Sequence, residues 1–454
     1  MKYRLGDICT IAKGATGIMK AVPGPYPMVT LAEERKQHNE YQFDAAAVIV
    51  PLISSTGHGH ASIKRIHYQE GKFALGTILC AVIPKDESLL NPRYLFVYLQ
   101  QFKDSVLVPL MKGAANVSLP LNKLAALEIE VPALAKQQEV IELAEVLTGH
   151  KDDLEVLLDA QEADTVKLRQ ALLREAMQGQ LLPQDPTDEP AAVLLKKLQA
   201  AKAASGKAGK GKAGALFAEE AQAVEGPYAL PEKWTWCKLG ELVERSDSGW
   251  SPACANYPAA EGVWGVLRTT SVQKLQFLAE ENKQLPAALT PRPQYEVQAG
   301  DILITRAGPK NRVGVCCVVD EVRPKLMISD KLIRLHLHEK QAYPKFIALA
   351  LNIGVSAQFL EDVKTGMADS QVNISQDNLR ATIIPLPPLT EQHRIVAKLE
   401  QLLQHCDALE QRIRESRRLA EQLLQTALRE ALSAPEAVND LALTAKLGHQ
   451  LTLL

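Results

Sequence analysis

Residues 389–432, LTEQHRIVAKLEQLLQHCDALEQRIRESRRLAEQLLQTALREAL, decide the architecture, because the chain carries a second version of them at residues 134–178, LAKQQEVIELAEVLTGHKDDLEVLLDAQEADTVKLRQALLREAMQ. Set in register, Leu124, Pro132, Leu134, Gln137, Val140, Leu147, Leu154, Leu168, Arg174, Glu175 and Ala176 meet Leu379, Pro387, Leu389, Gln392, Ile395, Leu402, Leu409, Leu423, Arg429, Glu430 and Ala431. The offset is a constant 255 (379 − 124 = 431 − 176), so no gap is needed. An internal repeat dictates architecture before any local reading does. Two copies are too few for a solenoid; they imply one unit used twice and a pseudo-symmetric molecule.

Both copies carry a helical seam. In the second, Ile395, Leu399, Leu402, Cys406, Leu409, Ile413, Ser416, Ala420, Leu423 and Ala427 alternate at spacings of four and three. In the first the row is Val140, Ala144, Leu147, Lys151, Leu154, Leu158, Gln161, Thr165, Leu168 and Leu172. Apolar residues at an average spacing near 3.5 predict coiled-coil helices. Gln161 and Ser416 occupy equivalent seam positions, where a polar residue costs stability and fixes register. A helix of about 45 residues is roughly 67 Å long at 1.5 Å per residue, more than a compact domain needs. The matching seams predict that the two helices pair with each other as a spacer; two amphipathic helices packed on separate domains is the plainer reading.

Bulk properties narrow the class. The 454 residues, 46% hydrophobic and 23% charged, suit a soluble globular chain of about three units. A formal charge of −2 assigns any nucleic-acid binding to local basic surfaces or to partners. The cysteines, Cys9, Cys80, Cys237, Cys254, Cys316, Cys317 and Cys406, form no CxxC pair and read as reduced, mostly buried thiols. The start, MKYRLGDICT, lacks a secretory apolar run, and no window reaches eighteen apolar residues. A cytoplasmic chain with no membrane contact is expected.

The expected organisation is α+β. A first globule covers 1–133, helix one 134–180, a flexible basic linker 181–225, a second globule 226–388, helix two 389–433 and a tail 434–454. In the first globule Ala45–Pro51 and Gly76–Pro84 are apolar runs suited to buried strands, and Asn91–Phe102 reads as a helix opening at a proline turn. The linker begins LLPQDPTDEP, offers a short helix at Ala191–Ala201 and passes into KAASGKAGKGKAG, too poor in apolar surface to order itself. The second globule echoes the first. Leu239-Gly240 answers Leu5-Gly6, GDILI at 300–304 answers GTILC at 76–80, Tyr343–Ala348 answers Asn91–Phe96, and Gly366 with Val372 answers Gly113 with Val117. Those offsets run 234, 224, 252 and 253 (for example 239 − 5 and 300 − 76), so the globules share a frame and differ in their insertions. Constant helices beside variable globules describe a fixed scaffold that presents two different readers.

Signals for catalysis are weak. Asn91-Pro92-Arg93-Tyr94 is superficially similar to the Asn-Pro-Pro-Tyr of amino-methyltransferases, but no glycine-rich loop precedes it and the second copy reads Tyr-Pro-Lys-Phe, so a helix-start turn is expected. The phosphate-loop spacing from Gly206 to Gly211-Lys212 ends in Ala213 and follows no strand. His58, His60 and His67 lack further ligands nearby, so no metal is expected.

The globule–helix–globule–helix order, with LPPLTEQ at 386–392 leading into the second helix, resembles the specificity subunit of type I restriction–modification systems. LLPQDPTDEP at 181–190, WTWCKL at 234–239 and VNISQDNL at 372–379 extend the resemblance over essentially the whole chain. It implies two target-recognition domains, each reading half of a split site in double-stranded DNA, and two helices that pair as an antiparallel coiled coil and set the spacing. It further implies two modification subunits that bring S-adenosylmethionine and methylate adenine, restriction subunits that join them, and no cofactor or catalysis in this chain. One departure stands out: helix one has Ala135-Lys136 where helix two has Thr390-Glu391, which puts the equivalence of the two partner-docking surfaces in question.

Base reading favours Arg, Lys, Asn, Gln, Ser and Thr on loops. The candidates in the second globule are Arg306, Lys310, Asn311 and Arg312, a basic Gly/Pro-bearing loop after a strand, with Ser370 and Gln371. In the first they are Ser55, Thr56, His58, Lys64, Lys112 and Asn116. The expected helix seam comprises Val140, Leu147, Leu154, Leu158, Leu168 and Leu172, facing Ile395, Leu399, Leu402, Leu409, Ile413 and Leu423. The competing class is a coiled-coil adaptor whose globules bind proteins; sequence-selective retention of duplex DNA separates the two.

Overall fold

The structure, a computed structural model, describes residues 1–17, 21–56, 60–113, 117–204, 224–338 and 342–433. Contacts divide the chain into two compact units, one taking the described residues of Met1–Glu162 and Gln411–Leu454, the other Ala163–Glu410.

In the first unit β1 (Lys2–Arg4), α1 (Leu5–Ile8) and β2 (Cys9–Lys13) precede β3 (Tyr26–Val29), β4 (Lys36–His38), β5 (Phe43–Asp44), β6 (Ala47–Pro51), β7 (His67–Gln69), β8 (Lys72–Leu75) and β9 (Leu79–Pro84). Helix α2 (Pro92–Val106), α3 (Leu121–Ala125) and β10 (Glu128–Glu130) lead to the long helix α4 (Leu134–Gln178). The main sheet is antiparallel, in the order β2-β9-β6-β7, and a second runs β4-β3-β8-β5. Strand β6 is apolar throughout because both its faces are covered. Val48 and Val50 join the cluster of Tyr94, Leu95 and Leu99 on α2, while Ala47 and Ile49 pack with Phe73 and Leu75 of the second sheet.

The second unit contains α5 (Ala191–Ala204), β11 (Thr235–Lys238), α6 (Leu239–Leu242), β12 (Val243–Ser248), β13 (Gly265–Leu267), β14 (Val272–Gln273), β15 (Gln276–Phe277) and β16 (Asn282–Gln284). It continues with β17 (Ile302–Thr305), β18 (Ala307–Gly308), β19 (Cys316–Val318), β20 (Leu326–Met327), β21 (Leu332–Leu337), α7 (Pro344–Asn352) and α8 (Gly354–Asp362). Last come β22 (Thr365–Ala368), β23 (Gln371–Asn373), α9 (Gln376–Ala381), β24 (Ile383–Leu386) and the long helix α10 (Leu389–Ser433). Its main sheet is β12-β21-β17-β19, and β16-β13-β20 lies in a second. Again alternate residues serve two cores: Ile302 and Ile304 belong to one, Leu303 to the other.

The registers make the two globules one fold. Cys9 pairs with Pro84 and Ile11 with Val82; Val243 pairs with Leu337 and Ser246 with Leu335, with one bulge beside Glu244. Val48 pairs with Val82 and Pro51 with Leu79; Ile302 pairs with Leu335 and Thr305 with Leu332. The parallel pair β3–β8 likewise answers β13–β20. This corrects one expectation. GDILI at 300–304 is the counterpart of β6, and GTILC at 76–80 runs into β9, whose counterpart is β21. The offset at β9 is therefore 253 (332 − 79), in line with the neighbouring stretches, and not 224. Both strands are short apolar runs after a glycine-containing turn, so composition does not distinguish them; pairing order does.

Strand pairing also exposes an echo that was missed. Tyr26 pairs with His38 and Met28 with Lys36, while Gly265 pairs with Gln284 and Val266 with Lys283. That superposes LAEERKQ at 31–37 on LAEENKQ at 278–284 (278 − 31 = 247), against an offset of 238 (266 − 28) at β3 and β13. The nine residues of difference (247 − 238) are Thr269–Phe277, which hold the β14–β15 hairpin.

The long helices contribute to both units. In the first, Val140, Ile141, Ala144 and Leu147 pack with Ala420, Leu424, Ala427 and Leu428. Lys151 meets Glu421 at 2.6 Å, and Arg417 reaches Glu155 at 3.1 Å, Glu162 at 2.9 Å and Asp159. As α4 advances from 151 to 155, α10 falls back from 421 to 417, so the pairing is antiparallel. In the second unit Ala176 and Met177 pack with Ile395 and Leu399, and Arg169 holds Asp407 at 2.7 Å and Glu410 at 2.9 Å. Of the expected seam, Val140, Leu147, Leu158, Ile395, Leu399 and Ile413 are buried, and Leu154, Leu172, Leu402 and Leu423 are half-buried. Leu168 and Leu409, 46% and 40% exposed, do not belong to it. A straight helix drifts about 20° per heptad against a 3.5-residue repeat, so the facing row steps on by one residue. Arg169, Glu410 and Leu424 take the inward places.

Each globule is fastened to its helix by the same residue. The Gln137 side chain accepts from the Asn91 amide at 2.8 Å and donates to the carbonyls of Leu89 and Pro132; its counterpart Gln392 accepts from the Tyr343 amide at 2.7 Å and donates to Pro387. The expected flexible linker is corrected for residues 181–204. Ala191, Leu195 and Leu198 on one face of α5 join a core with Trp234, Leu239 and Leu242. Gln184 donates to buried Glu391 at 2.7 Å, as does the Trp234 indole at 3.0 Å, and Asp188 accepts from Arg394 at 3.2 Å and from Thr390. The apolar stripe of α5 and these charged contacts order the segment. The Lys/Gly/Ala stretch that follows, with Gly206–Lys212, and the expected tail at 434–454 lie outside the described residues.

Candidate nucleic-acid interface

The six candidates of the second globule, split between residues 306–312 and 370–371, are brought together around one small sheet, β18-β23-β22, with Gln371 on β23 and the others in the flanking turns. Ala307 pairs with Asn373 and Gly308 with Val372; Thr365 also faces Asn373, and Ala368 faces Gln371. The Lys310 amide donates to the Asp369 carbonyl at 2.7 Å, beside Ser370, and the Ile374 amide donates to the Arg306 carbonyl at 3.0 Å. Gly366 is needed for the hairpin to close: a Cβ there would lie 2.4 Å from the Gln371 carbonyl oxygen. Lys310, Asn311, Ser370 and Gln371 are exposed, and Arg306 and Arg312 half-buried. Among the described residues no carboxylate lies within ion-pair distance of Arg306, Lys310 or Arg312.

The first globule builds the same edge. Ser118 bridges both Ile53 and Lys112, and the Ser54 amide donates to Val117 at 2.9 Å. Ile53, Ser54, Lys112, Val117 and Ser118 stand where Ala307, Gly308, Thr365, Val372 and Asn373 stand in the second. Ser55 and Thr56 are largely spent on their own loop: the Ser55 hydroxyl accepts from the Lys64 amide at 2.9 Å, and Thr56 meets the Ser62 hydroxyl at 2.9 Å. Lys64 and Lys112 are exposed. The candidates His58 and Asn116 lie outside the described residues.

Lys331 escaped the sequence reading. It is exposed, and its carbonyl accepts from the Arg306 amide at 2.8 Å. It lies far along the chain from the basic loop, in no motif, so only strand pairing reveals it. Further along β21, Arg334, 3% exposed, ties that strand to β12 and to the turn before β17 by holding Asp247 through two nitrogens at 2.9 Å each, Asp301 at 3.4 Å and the carbonyls of Glu296 and Gln294. A buried charge matched in this way positions the sheet and is not available to a ligand.

The other sequence signals resolve into structure. The Asn91 side chain caps α2 by accepting from the Arg93 amide at 2.8 Å, with Pro92 at the first turn. His60 is exposed, whereas His67 is buried on β7 with Arg35 3.3 Å from its ring. Burial, then Arg35 and Arg65, push His67 down to about 4, so it is neutral at physiological pH. Among the described residues no helix is long and apolar enough to cross a membrane.

The family described as the type I restriction modification DNA specificity domain matches residues 1–156 and 231–416. The specificity subunit of the type I restriction enzyme EcoEI of Escherichia coli is 45% identical over 320 residues, 70% of this chain and 51% of that protein. That of EcoAI, also from Escherichia coli, is 26% identical over 324 residues, 68% of this chain and 50% of that protein. The chain thus spans about half the length of the curated relatives it matches. Two solved structures share the fold at 18% identity. One, from work on assembly and conformational transition of the type I R-M system, has a TM-score of 0.61 over 95% of this chain and 97% of that one. The other, the HsdS subunit from Thermoanaerobacter tengcongensis, has a TM-score of 0.53 over 95% and 96%.

Proposed function

The chain belongs to the type I restriction modification DNA specificity family, and from that premise we propose that each globule reads one half of a split, asymmetric site in duplex DNA. The duplicated edge carries this reading: one backbone register holds Arg306, Lys310, Arg312, Ser370 and Gln371 in one globule and a different polar set in the other. Backbone contacts position a reader and side chains specify the word, so a common frame with unlike side chains suits two unlike half-sites. The paired helices set the separation of the half-sites, as dimeric readers do at about 34–36 Å per turn or multiples of it. The chain supplies recognition and leaves the chemistry to partners. Two modification subunits dock on the helices and bring S-adenosylmethionine for adenine methylation, and restriction subunits join that core.

The test uses the site mapped by methylome sequencing of cells carrying the complete system. Arg306→Ala and Arg312→Ala, titrated against duplexes altered in either half-site, each weaken binding by about 1–3 kcal/mol for every base edge the arginine had held. The loss of preference is confined to the half-site read by the second globule. Unchanged affinity and preference in both variants would remove this edge from the interface, and failure of the chain with its modification partner to select any duplex would leave the adaptor reading.

A further inference from the structure

The nine residues Thr269–Phe277 exist only in the second globule, and they are firmly built. Val272 and Gln273 pair with Phe277 and Gln276, Val272 is buried beside Leu303 and Cys317, and the Gln273 side chain donates to the Thr270 carbonyl at 2.6 Å. At the tip Leu275 is held at φ +62°, a left-handed conformation that a branched apolar residue adopts at a cost, and its amide donates to the Cys316 carbonyl at 3.0 Å. The consequence is the placement of Lys274. It is exposed at the tip and lines a cavity of about 160 Å³ together with Asn311, Gly314, Asn352, Glu361 and Lys364.

Most polar groups of that cavity are committed. The Asn352 amide is used by Cys316 and Ala348, and Lys364 is held by Glu361 and by the Lys310 carbonyl at 2.9 Å, which steadies the loop bearing Asn311. Lys274 and the Asn311 side chain have no hydrogen-bond or ion-pair partner among the described residues. Two lysines against one glutamate leave the lining with an excess positive charge. An ammonium and an amide donor lining one cavity, the amide on the loop beside the proposed DNA-reading edge, match the needs of a phosphodiester oxygen, for which charged donors position without reading sequence.

We propose that Lys274 and Asn311 seat one backbone phosphate beside the half-site read by the second globule, a contact the first globule does not make. The proposal rests on the DNA reading above. Its test is binding of the chain, with its modification partner, to the mapped duplex over a potassium chloride series. Lys274→Ala flattens the slope of log K against log salt by about 0.9, the value for one released counterion, and leaves the ranking of mutant half-sites unchanged. In a scan of single methylphosphonates, one position next to the second half-site weakens the wild type and leaves Lys274→Ala unaffected. An unaltered slope together with the same methylphosphonate profile in both proteins overturns the phosphate seat. Arg306→Ala separates the two levels: if it is impaired while Lys274→Ala behaves as wild type, only the seat fails, and if both behave as wild type, the DNA-reading edge fails with it.

Discussion

Asp188 shows how much one side chain organises. Hydrogen bonding from Arg394 holds its carboxyl below the usual carboxylate range, whereas burial pushes the carboxyl of nearby Glu391 up. For Asp188 the folded pKa lies below the unfolded one, so its contribution is complete above the unfolded value of about 3.9 and disappears as pH falls through the folded value. Glu391 has the opposite sign: its ionised form costs stability in the fold, and the cost is relieved on acidification. Asp188→Ala should destabilise the second unit by about 1–3 kcal/mol near neutral pH, Arg394 being partly exposed. Urea titration of both proteins should show the gap closing below about pH 4, and a gap independent of pH would exclude the ion pair as its source. At this scale the stretch at 306–312 was legible as a polar loop after a strand, from its Gly, Pro and charged residues. Lys331 and the loop-building roles of Ser55 and Thr56 were not, since each depends on backbone pairing between distant residues.

Among the elements, the long helices were legible almost to the residue, because a repeat at constant offset and a heptad row reinforce each other. The inward row after the first few turns was not, since an idealised 3.5 spacing ignores the drift of a straight helix. This difference is measurable. Leu147→Ala, at a buried position, should cost about 2–5 kcal/mol, whereas Leu168→Ala, at a position 46% exposed, should cost no more than about 0.5 kcal/mol. Denaturant midpoints of the two variants decide it, and equal losses would restore Leu168 to the seam. Strands were harder to assign. GDILI and GTILC look alike because β6, β9, β17 and β21 are all covered on both faces, and such strands lose the alternation that would distinguish them.

For the molecule as a whole, one fold is used twice with several insertions in the second copy, the nine residues of the β14–β15 hairpin among them, and each copy is tied to its helix by an equivalent glutamine. The frame can therefore stay constant while the two edges diverge, which suits the proposed reading of two different half-sites. In this account the helices contribute separation and the globules contribute specificity. The most direct measurement is methylome sequencing of cells whose specificity chain carries one extra heptad in each long helix. Both half-sites should stay unchanged while the gap between them widens. A changed half-site, or an unchanged gap with full methylation, would rule out the helices as the spacer.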